Sequence, residues 1–484
     1  MMNDADIIRE HWGSAEDFYL ERDHRTKLEV ASLHDYVYTP IEIHVEPTFA
    51  EDVTIQRMVL LAANLTARWA RKVKVIVPDV KLVEPLRIHG DQSLSERIKR
   101  EMLEADPFGN FEVGPLKSSD DKSIRLRVGH AANTTFPIGD TDYCIDAVSW
   151  TVIGRRGKSK CPLECRNATA PTAALAAAIG AADLFKRAIG HSEKHWIGEL
   201  DWCTWDHICG HDALLQVDIP TAPEKINVGN VLLAGVGAVG SAFLYVLSLM
   251  EVRGHVTLLD RDCVETSNLN RAPLFTALDA CLSRKKTDVG LLLLRSLNCR
   301  ATAVNGTWHE HGKALSREPF DVWISLTNED GAWAEVPFQL PPVVLHGTTT
   351  SGWGIGVGRH IPRLEDCTAC RLPLPHAEFR GPCSQGEVSA STERQSTRAS
   401  LPFLSAASAA LIATELLKLE YSNASALPNS VCADFRQGLP VVVAQTFGPT
   451  VGCRGCRMAE LELWTGRGGR GRYSELSNGQ VRAA

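Results

Sequence analysis

The clearest hydrophobic pattern in the chain lies between residues 230 and 271. An apolar run, Val231–Ala234, predicts a buried parallel strand. An apolar helix is expected from about Ser241 to Met250, followed by a second strand at Val256–Leu259. A glycine-rich turn stands between the first strand and the helix. This order of elements is typical of an α/β nucleotide-binding unit.

A similar alternation of strands and helices runs through the first half of the chain. Periodicity predicts helices at Asp52–Arg71 and Ser93–Leu103. No glycine turn joins the first strand to the first helix here, which argues against nucleotide binding by this half. The strands predicted in this region lie at Ile41–Val45, Val73–Val77, Ile124–Val128 and within Tyr143–Ile153.

Two alanine-rich segments, one in each half of the chain, are similar in sequence. Residues 171–186 and 402–418 both begin with proline and end with an acid, two apolar residues and lysine. The number of positions that separate the proline from the lysine differs by only one between the two segments. Small side chains permit close helix packing, so we interpret the pair as a degenerate internal duplication. Chance similarity of two alanine-rich helices is the alternative.

Composition narrows the classes of function. The chain has 484 residues, a length typical of two to four domains. The 51 basic and 58 acidic residues give a net charge of −7, which argues against a protein that coats nucleic acid. Without a long apolar run or a signal peptide, we expect a cytoplasmic protein that has no membrane partner. In such a chain the 14 cysteines indicate metal binding, catalysis or burial.

The glycine turn carries the first candidate chemistry. Gly235, Gly237 and Gly240 would let backbone N–H groups approach phosphate oxygens at a helix N-terminus. Asp260 ends the second strand, at the distance from Gly240 that is expected of the acid in such units, and can accept hydrogen bonds from ribose hydroxyls. Taken alone, this motif also fits a tight turn without a ligand.

The residues after Asp260 make the hypothesis more specific. A nearly intact D-x-D-x-V-x-x-S-N-L-x-R run contains Asp262, Asn268 and Arg271, and Lys286 follows later. This run resembles the ThiF/MoeB/ubiquitin-activating superfamily, which adenylates the C-terminal carboxylate of ubiquitin-like proteins. The resemblance implies that these residues, with the three glycines, bind ATP.

The resemblance also implies the architecture, an α/β chain with two Rossmann-like ThiF adenylation-type halves. It is strongest over residues 221–460 and weaker over 40–190. The expected domains are an inactive adenylation-like half at 1–193, a linker at 194–225, an active half at 226–460 with a crossover loop at about 376–402, and a disordered Gly/Arg tail at 461–484.

ATP and Mg²⁺ are the cofactors that the resemblance implies. Lys286 and Arg271 would stabilise the charge that builds on the phosphates as pyrophosphate leaves. Lys285 is adjacent to Lys286, so the choice between the two lysines stays open.

The expected magnesium position departs from the family pattern. Asn328 falls where the family usually has an aspartate, and an amide brings no charge to Mg²⁺. For Mg²⁺ to have a charged ligand here, Glu329 or Asp330, one or two residues later in the chain, would have to take the place of Asn328.

Two cysteine pairs predict a metal site. Cys367 and Cys370 form one C-x-x-C, and Cys453 and Cys456 form another. Four thiolates suit tetrahedral Zn²⁺, and the superfamily places its structural zinc at such pairs. A redox pair or unrelated buried thiols are the alternatives, because the two pairs stand far apart in the chain.

Cys383 is the candidate nucleophile. It precedes a segment rich in serine and threonine and then Pro402, where the alanine-rich helix begins. This placement resembles the thioester-forming cysteine of ubiquitin-activating enzymes, in which a thiolate attacks the acyl-adenylate. An incidental loop cysteine is the alternative.

The combined features resemble an activating enzyme for a ubiquitin-like protein, and the compact two-half layout resembles those of bacterial antiphage systems such as the Bil operons. The implied partners are a ubiquitin-like protein and a ubiquitin-conjugating-type enzyme. Three alternatives stay open. A sulfur-carrier adenylyltransferase would need no thioester, an NAD(P) oxidoreductase would not explain the cysteine pairs, and a non-catalytic scaffold is favoured by Asn328.

Overall fold

The computed structural model describes most of the chain. The described residues are 4–24, 36–86, 93–115, 122–129, 138–159, 167–214, 219–327, 329, 331–350, 352–371, 401–421 and 423–477. Cys383, Asn328, Asp330 and nearly all of the expected crossover loop lie outside them. Within this part, no helix combines the length and the apolar composition that a membrane span needs.

The first half contains a seven-stranded mixed sheet. Its strands are β1 Ile41–Val45, β2 Lys72–Ile76, β3 Asn110–Gly114, β4 Ile124–Val128, β5 Tyr143–Val148, β6 Thr151–Arg156 and β7 Leu200–Cys203. Their order is β3-β2-β1-β4-β5-β6-β7. Neighbours are parallel from β3 to β5, and β6 and β7 continue the sheet antiparallel.

The second half contains an eight-stranded sheet. Its strands are β8 Lys225–Ala234, β9 Glu251–Asp260, β10 Arg300–Asn305, β11 Val322–Ser325, β12 Val343–Thr349, β13 Gly354–His360, β14 Ser430–Asp434 and β15 Val441–Gln445. The order β10-β9-β8-β11-β12-β13-β14-β15 repeats that of the first sheet and adds β15 at one edge. The shared strand order agrees with the predicted duplication and with two Rossmann-like sheets.

Helices flank both sheets. They are α1 Asp4–Trp12, α2 Ala15–Arg22, α3 Val53–Ala67, α4 Leu94–Ala105, α5 Ala170–Ala188, α6 Ala238–Leu247, α7 Ala277–Cys281, α8 Lys286–Ser296, α9 Trp308–Leu315, α10 Ala332–Glu335, α11 Thr368–Arg371, α12 Pro402–Lys418, α13 Arg454–Met458, α14 Glu462–Thr465 and α15 Ser474–Ser477.

The two alanine-rich segments form the centre of the molecule. Helices α5 and α12 pack against each other, and each also packs on the helix that follows the first strand of its own sheet, α3 or α6. From Ala170 to Lys186, and along the whole of α12, every residue is buried. Alanine and serine side chains allow two helix backbones to approach closely, so the internal duplication places its two copies face to face.

Each of these helices carries a buried acid and a buried lysine, and each acid pairs with an arginine of an equivalent strand. Asp183 of α5 pairs with Arg156 of β6, and Glu415 of α12 pairs with Arg359 of β13 at 2.7 Å. Both lysines reach into the opposite half. The Nζ of Lys186 donates to the carbonyl oxygen of Gln437 at 2.5 Å, and the Nζ of Lys418 lies 3.0 Å from the Nε2 of His207. Polar contacts of buried groups therefore join the two halves.

Two segments differ from the expected boundaries. Leu200–Cys203, expected within the linker, forms edge strand β7 of the first sheet and hydrogen-bonds to β6. The Gly/Arg segment, expected to be disordered from residue 461, packs on the second half as far as residue 477. Trp464 and Tyr473 are buried, and their polar atoms donate to the Pro341 carbonyl and to Glu420. These two aromatic anchors outweigh the disorder that the glycine-rich composition predicts.

The buried His207 makes stability depend on pH. Burial and the neighbouring Lys418 lower the pKa of His207 to about 4, against about 6.5 in an unfolded chain. Between pH 6.5 and 4 the unfolded chain binds more protons, so stability falls as the pH drops through this window. The loss at pH 5 is on the order of 2 kcal/mol relative to pH 7.

A His207→Asn variant tests this expectation. Asparagine tolerates the positive φ of 65° found at this position and does not titrate. We expect it to be less stable than the wild type at pH 7 but to lose less stability between pH 7 and pH 5, as measured by denaturant unfolding. An equal loss in both proteins would contradict this assignment.

Candidate functional site

The glycine turn lies between the end of β8 and the N-terminus of α6, and each glycine has its own surroundings. Gly235 has a φ of 96°, and a Cβ there would meet the backbone of Leu326 at 2.7 Å. A Cβ on Gly240 would collide with the Gly235 carbonyl oxygen, whereas one on Gly237 would meet nothing within 4 Å. Two glycines are therefore needed by the fold. The third leaves open space at a helix N-terminus, the kind of position at which proteins bind phosphate.

Two aspartates at the end of β9 connect the turn to α8. One carboxylate oxygen of Asp260 accepts from the Val236 N–H at 2.7 Å, and the other accepts from the Asp262 N–H at 2.9 Å. Burial raises the pKa of Asp260, opposed by the charge of Lys286. Asp260 thus braces the turn, and a carboxylate has further lone pairs for ribose hydroxyls.

The structure also distinguishes the two candidate lysines. The Nζ of Lys286 lies 2.9 Å from the Oδ2 of Asp262, and its side chain is buried. The Nζ of Lys285 instead donates to the Arg261 carbonyl at 3.0 Å in an exposed position. Although partial burial raises the pKa of Asp262, Lys286 and Arg261 bring it below its usual range. Lys286 is therefore the lysine that lies among the carboxylates of the site.

Asn268 and Arg271 lie in and after the 3₁₀ turn Thr266–Asn268, where a buried irregular segment begins. The Asn268 side chain caps this turn by accepting from the Glu265 N–H at 3.2 Å. The Arg271 guanidinium donates to the Ser267 carbonyl and, at 2.8 Å, to the Asn270 side chain. The segment thus holds its arginine by local contacts.

Glu329, one of the two expected replacements for Asn328, lies at the N-terminus of α9. Its carboxylate accepts from the Trp308 N–H at 2.8 Å and from the His309 N–H at 3.4 Å, at the N-terminus of α9. These helix N–H groups favour a carboxylate by charge as well as by hydrogen bonding. Of the two expected replacements, Glu329 therefore caps a helix, and Asp330 lies outside the described residues.

The equivalent position in the first half is closed to phosphate. Residues 46–52, between β1 and α3, contain no glycine. The Asp52 side chain caps α3, accepting from the Thr54 N–H at 2.7 Å and from the Ile55 N–H at 3.3 Å. A carboxylate already occupies the N–H groups that would bind an anion and would repel it. The chain itself therefore supplies an anionic cap at the N-terminus of α3.

The four cysteines predicted to bind metal are brought together. Their Sγ atoms all lie within 4.8 Å of one another, with 3.7 Å from Cys367 to Cys370 and to Cys453, and 3.4 Å from Cys370 to Cys456. Four Zn–S bonds of about 2.3 Å give a tetrahedron with edges of about 3.8 Å. The cluster therefore fits a structural zinc with four thiolate ligands.

Hydrogen bonds connect this cluster to the end of β11. Thr368, between the first two cysteines, donates to the Trp333 carbonyl at 2.8 Å, and the Trp333 Nε1 donates to the Thr327 carbonyl at 2.9 Å. Trp333 thus supports the backbone just before the position of Asn328. Its role has no sequence signal, because the two threonines that it joins stand far apart in the chain.

Comparison with known proteins supports part of the sequence interpretation. The sequence profile of the ThiF family matches residues 213–327, which include β8, β9 and the glycine turn between them. No curated protein matches the chain by sequence.

Solved structures of Escherichia coli MccB are similar to this chain. MccB with selenomethionine MccA is 18% identical and covers 47% of this chain and 66% of its own, with a TM-score of 0.37. MccB with ATP is 16% identical with the same coverage and TM-score. The microcin C7 biosynthetic enzyme MccB with N-formylated MccA is 18% identical, covers 47% and 67%, and has a TM-score of 0.36. The chain spans just under two thirds of the MccB chain in the first of these, and neither activity nor substrate follows from this similarity.

We expect substitutions at different glycines of the turn to act separately on stability and on ATP affinity. Gly237→Ala should lower the free energy of unfolding by no more than about 1 kcal/mol, since a Cβ there meets nothing within 4 Å. The same variant should bind ATP more weakly, because the methyl group occupies the phosphate space. Gly240→Ala should instead lower stability. Denaturant unfolding and ATP titration check both, and wild-type ATP affinity in Gly237→Ala would contradict the cradle.

The cysteine cluster predicts one zinc per chain, measured by elemental analysis or native mass spectrometry. Cys370→Ser should lose more zinc affinity than the roughly 10–100-fold cost of removing an outer partner of a metal ligand. Cys432→Ser is the matched control, because this cysteine on β14 is exposed and lies outside the cluster. Zinc retained by Cys370→Ser, or lost by Cys432→Ser, would count against the site.

Proposed function

We propose that this protein uses ATP to adenylate the C-terminal carboxylate of a ubiquitin-like protein and then forms a thioester on Cys383. The observation that carries the proposal is the open cradle at Gly237, joined through Asp260 and Asp262 to Lys286 within the segment that matches the ThiF family. This arrangement offers backbone N–H groups, a cation and ribose acceptors at one edge of a parallel sheet.

The residues of the site in the second half act on different parts of the nucleotide. The N–H groups at the start of α6 bind phosphate oxygens, and Asp260 accepts from the ribose. Lys286 and Arg271 stabilise the negative charge that develops as the substrate carboxylate attacks the α-phosphorus and pyrophosphate leaves. Mg²⁺, when bound, neutralises phosphate charge. The half-exposed carboxylate of Asp262 is its best charged ligand among the described residues at the turn.

Cys383 completes the proposed reaction. Its thiolate attacks the acyl carbon, AMP leaves, and the acyl group then passes to the cysteine of a ubiquitin-conjugating-type enzyme. A role in bacterial antiviral defence belongs to the same proposal and rests on the family resemblance. A scaffold that binds the ubiquitin-like protein without chemistry is the second candidate, because Asn328 brings no charge and Glu329 caps α9.

Two assays separate these functions. The first is exchange of labelled pyrophosphate into ATP, in the presence of a candidate ubiquitin-like protein or of a copy lacking its last residue. The second is a non-reducing gel for a thiol-sensitive adduct. We expect both signals in the wild type, exchange without adduct in Cys383→Ala, and both signals in Cys209→Ala, which removes an exposed cysteine of the first half.

Other outcomes select other functions. Exchange in the wild type with no adduct would place the protein with the sulfur-carrier adenylyltransferases. Tight partner binding without exchange would make it a scaffold. We expect Arg271→Ala to lower the exchange rate by roughly 100-fold, the scale measured when one stabilising donor is removed from an active site.

A further inference from the structure

The segment that carries Arg271 satisfies only part of its own backbone by local hydrogen bonds. Leu269–Phe275 has neither helix nor strand structure, and Leu269, Ala272 and Phe275 are buried. Buried carbonyl groups need hydrogen-bond partners, and irregular segments are therefore rare in protein interiors. The partners of three carbonyls in this segment come from a residue of the other half.

That residue is Arg68, directly after α3. Its Nη1 donates to the Leu269 carbonyl at 2.7 Å, and its Nη2 donates to the carbonyls of Pro273 at 2.7 Å and Phe275 at 3.2 Å. Its Nε donates to the Asn64 side chain at 2.8 Å, and the guanidinium is fully buried. The planar fork thus fixes carbonyls on both sides of Arg271 at once.

Neighbouring residues hold Arg68 in place. Asn64 donates to the Pro273 carbonyl and to Glu101, both at 3.2 Å. Glu101 in turn accepts from the Tyr245 hydroxyl of α6 at 2.5 Å. The elements beside the segment also rest on the first half, since the 3₁₀ turn Thr266–Asn268 packs on α2 and helix α7 packs on α1 and α4.

We propose that Arg68 is a positioning residue for nucleotide binding, through which the first half sets the geometry of Arg271. The inference rests on the proposed function, since it requires Arg271 to contact the nucleotide. The first half then contributes to the reaction without a nucleotide of its own. Arg68 touches no substrate and acts through the backbone on either side of Arg271.

The test is the equilibrium affinity of the full chain for ATP, with Mg²⁺, in Arg68→Lys. An ammonium group cannot span three carbonyls, so we expect the Kd to rise about tenfold, within the range that small misplacements of a site cause. Arg57→Lys is the matched control. Arg57, on α3, is likewise a buried arginine. It donates across the halves to the Leu249 carbonyl and within the first half to the Ala168 carbonyl. We expect Arg57→Lys to bind ATP like the wild type.

A double-mutant cycle separates positioning from general destabilisation. If Arg68 acts through Arg271, Arg68→Lys should raise the Kd less than about twofold in an Arg271→Lys background, where the fork of Arg271 is already lost. All variants are compared well below their unfolding temperatures. Should Arg68→Lys not fold, Asn64→Ala removes a second donor to Pro273 and should weaken ATP binding in the same direction.

The outcomes distinguish this inference from the proposed function. No ATP binding by the wild type would overturn the proposed function and the inference together. Wild-type binding with equal effects of Arg68→Lys and Arg57→Lys would overturn the inference alone. The same factor for Arg68→Lys with and without Arg271→Lys would do so as well.

Discussion

The packing of α5 against α12 is the constraint on which the rest of the structure depends. Small side chains allow these helices to approach, and the approach buries an acid and a lysine on each. Buried charges are costly unless they are paired, and each lysine finds a polar partner in the opposite half. The two sheets therefore form one structure, because separating them would leave Lys186 and Lys418 without these contacts.

The equivalent helices α3 and α6 differ in what lies at their N-termini. In the second half, β8 leads into a glycine turn, and the space in front of α6 is open at Gly237. In the first half, the carboxylate of Asp52 occupies the first N–H groups of α3. A helix N-terminus attracts an anion, and at α3 this anion is the carboxylate of Asp52, the residue that caps the helix. The two halves therefore share a strand order but differ at the turn that follows their first strand.

Two contacts from distant parts of the chain support backbone that follows β9 and β11 in the second sheet. Arg68 supplies donors to the backbone around Arg271, and Trp333 joins the cysteine cluster to the end of β11. Both stabilise irregular backbone that regular secondary structure cannot satisfy. A site keeps its geometry only when the residues around it are themselves fixed, and here the first half and the cysteine cluster both hold backbone beside the candidate site.

The sequence by itself determined what depends on local order along the chain. Strand and helix periods, the glycine turn, the run from Asp260 to Arg271, the cysteine pairs and the two alanine-rich helices are all visible there, because each is a short-range pattern of neighbouring positions. Only the tertiary structure decided which groups meet. It showed Glu329 capping α9, Trp464 and Tyr473 anchoring the tail, and Arg68 bonded to carbonyls of the other half. Such partners are chosen by proximity in the folded chain, which no local propensity encodes.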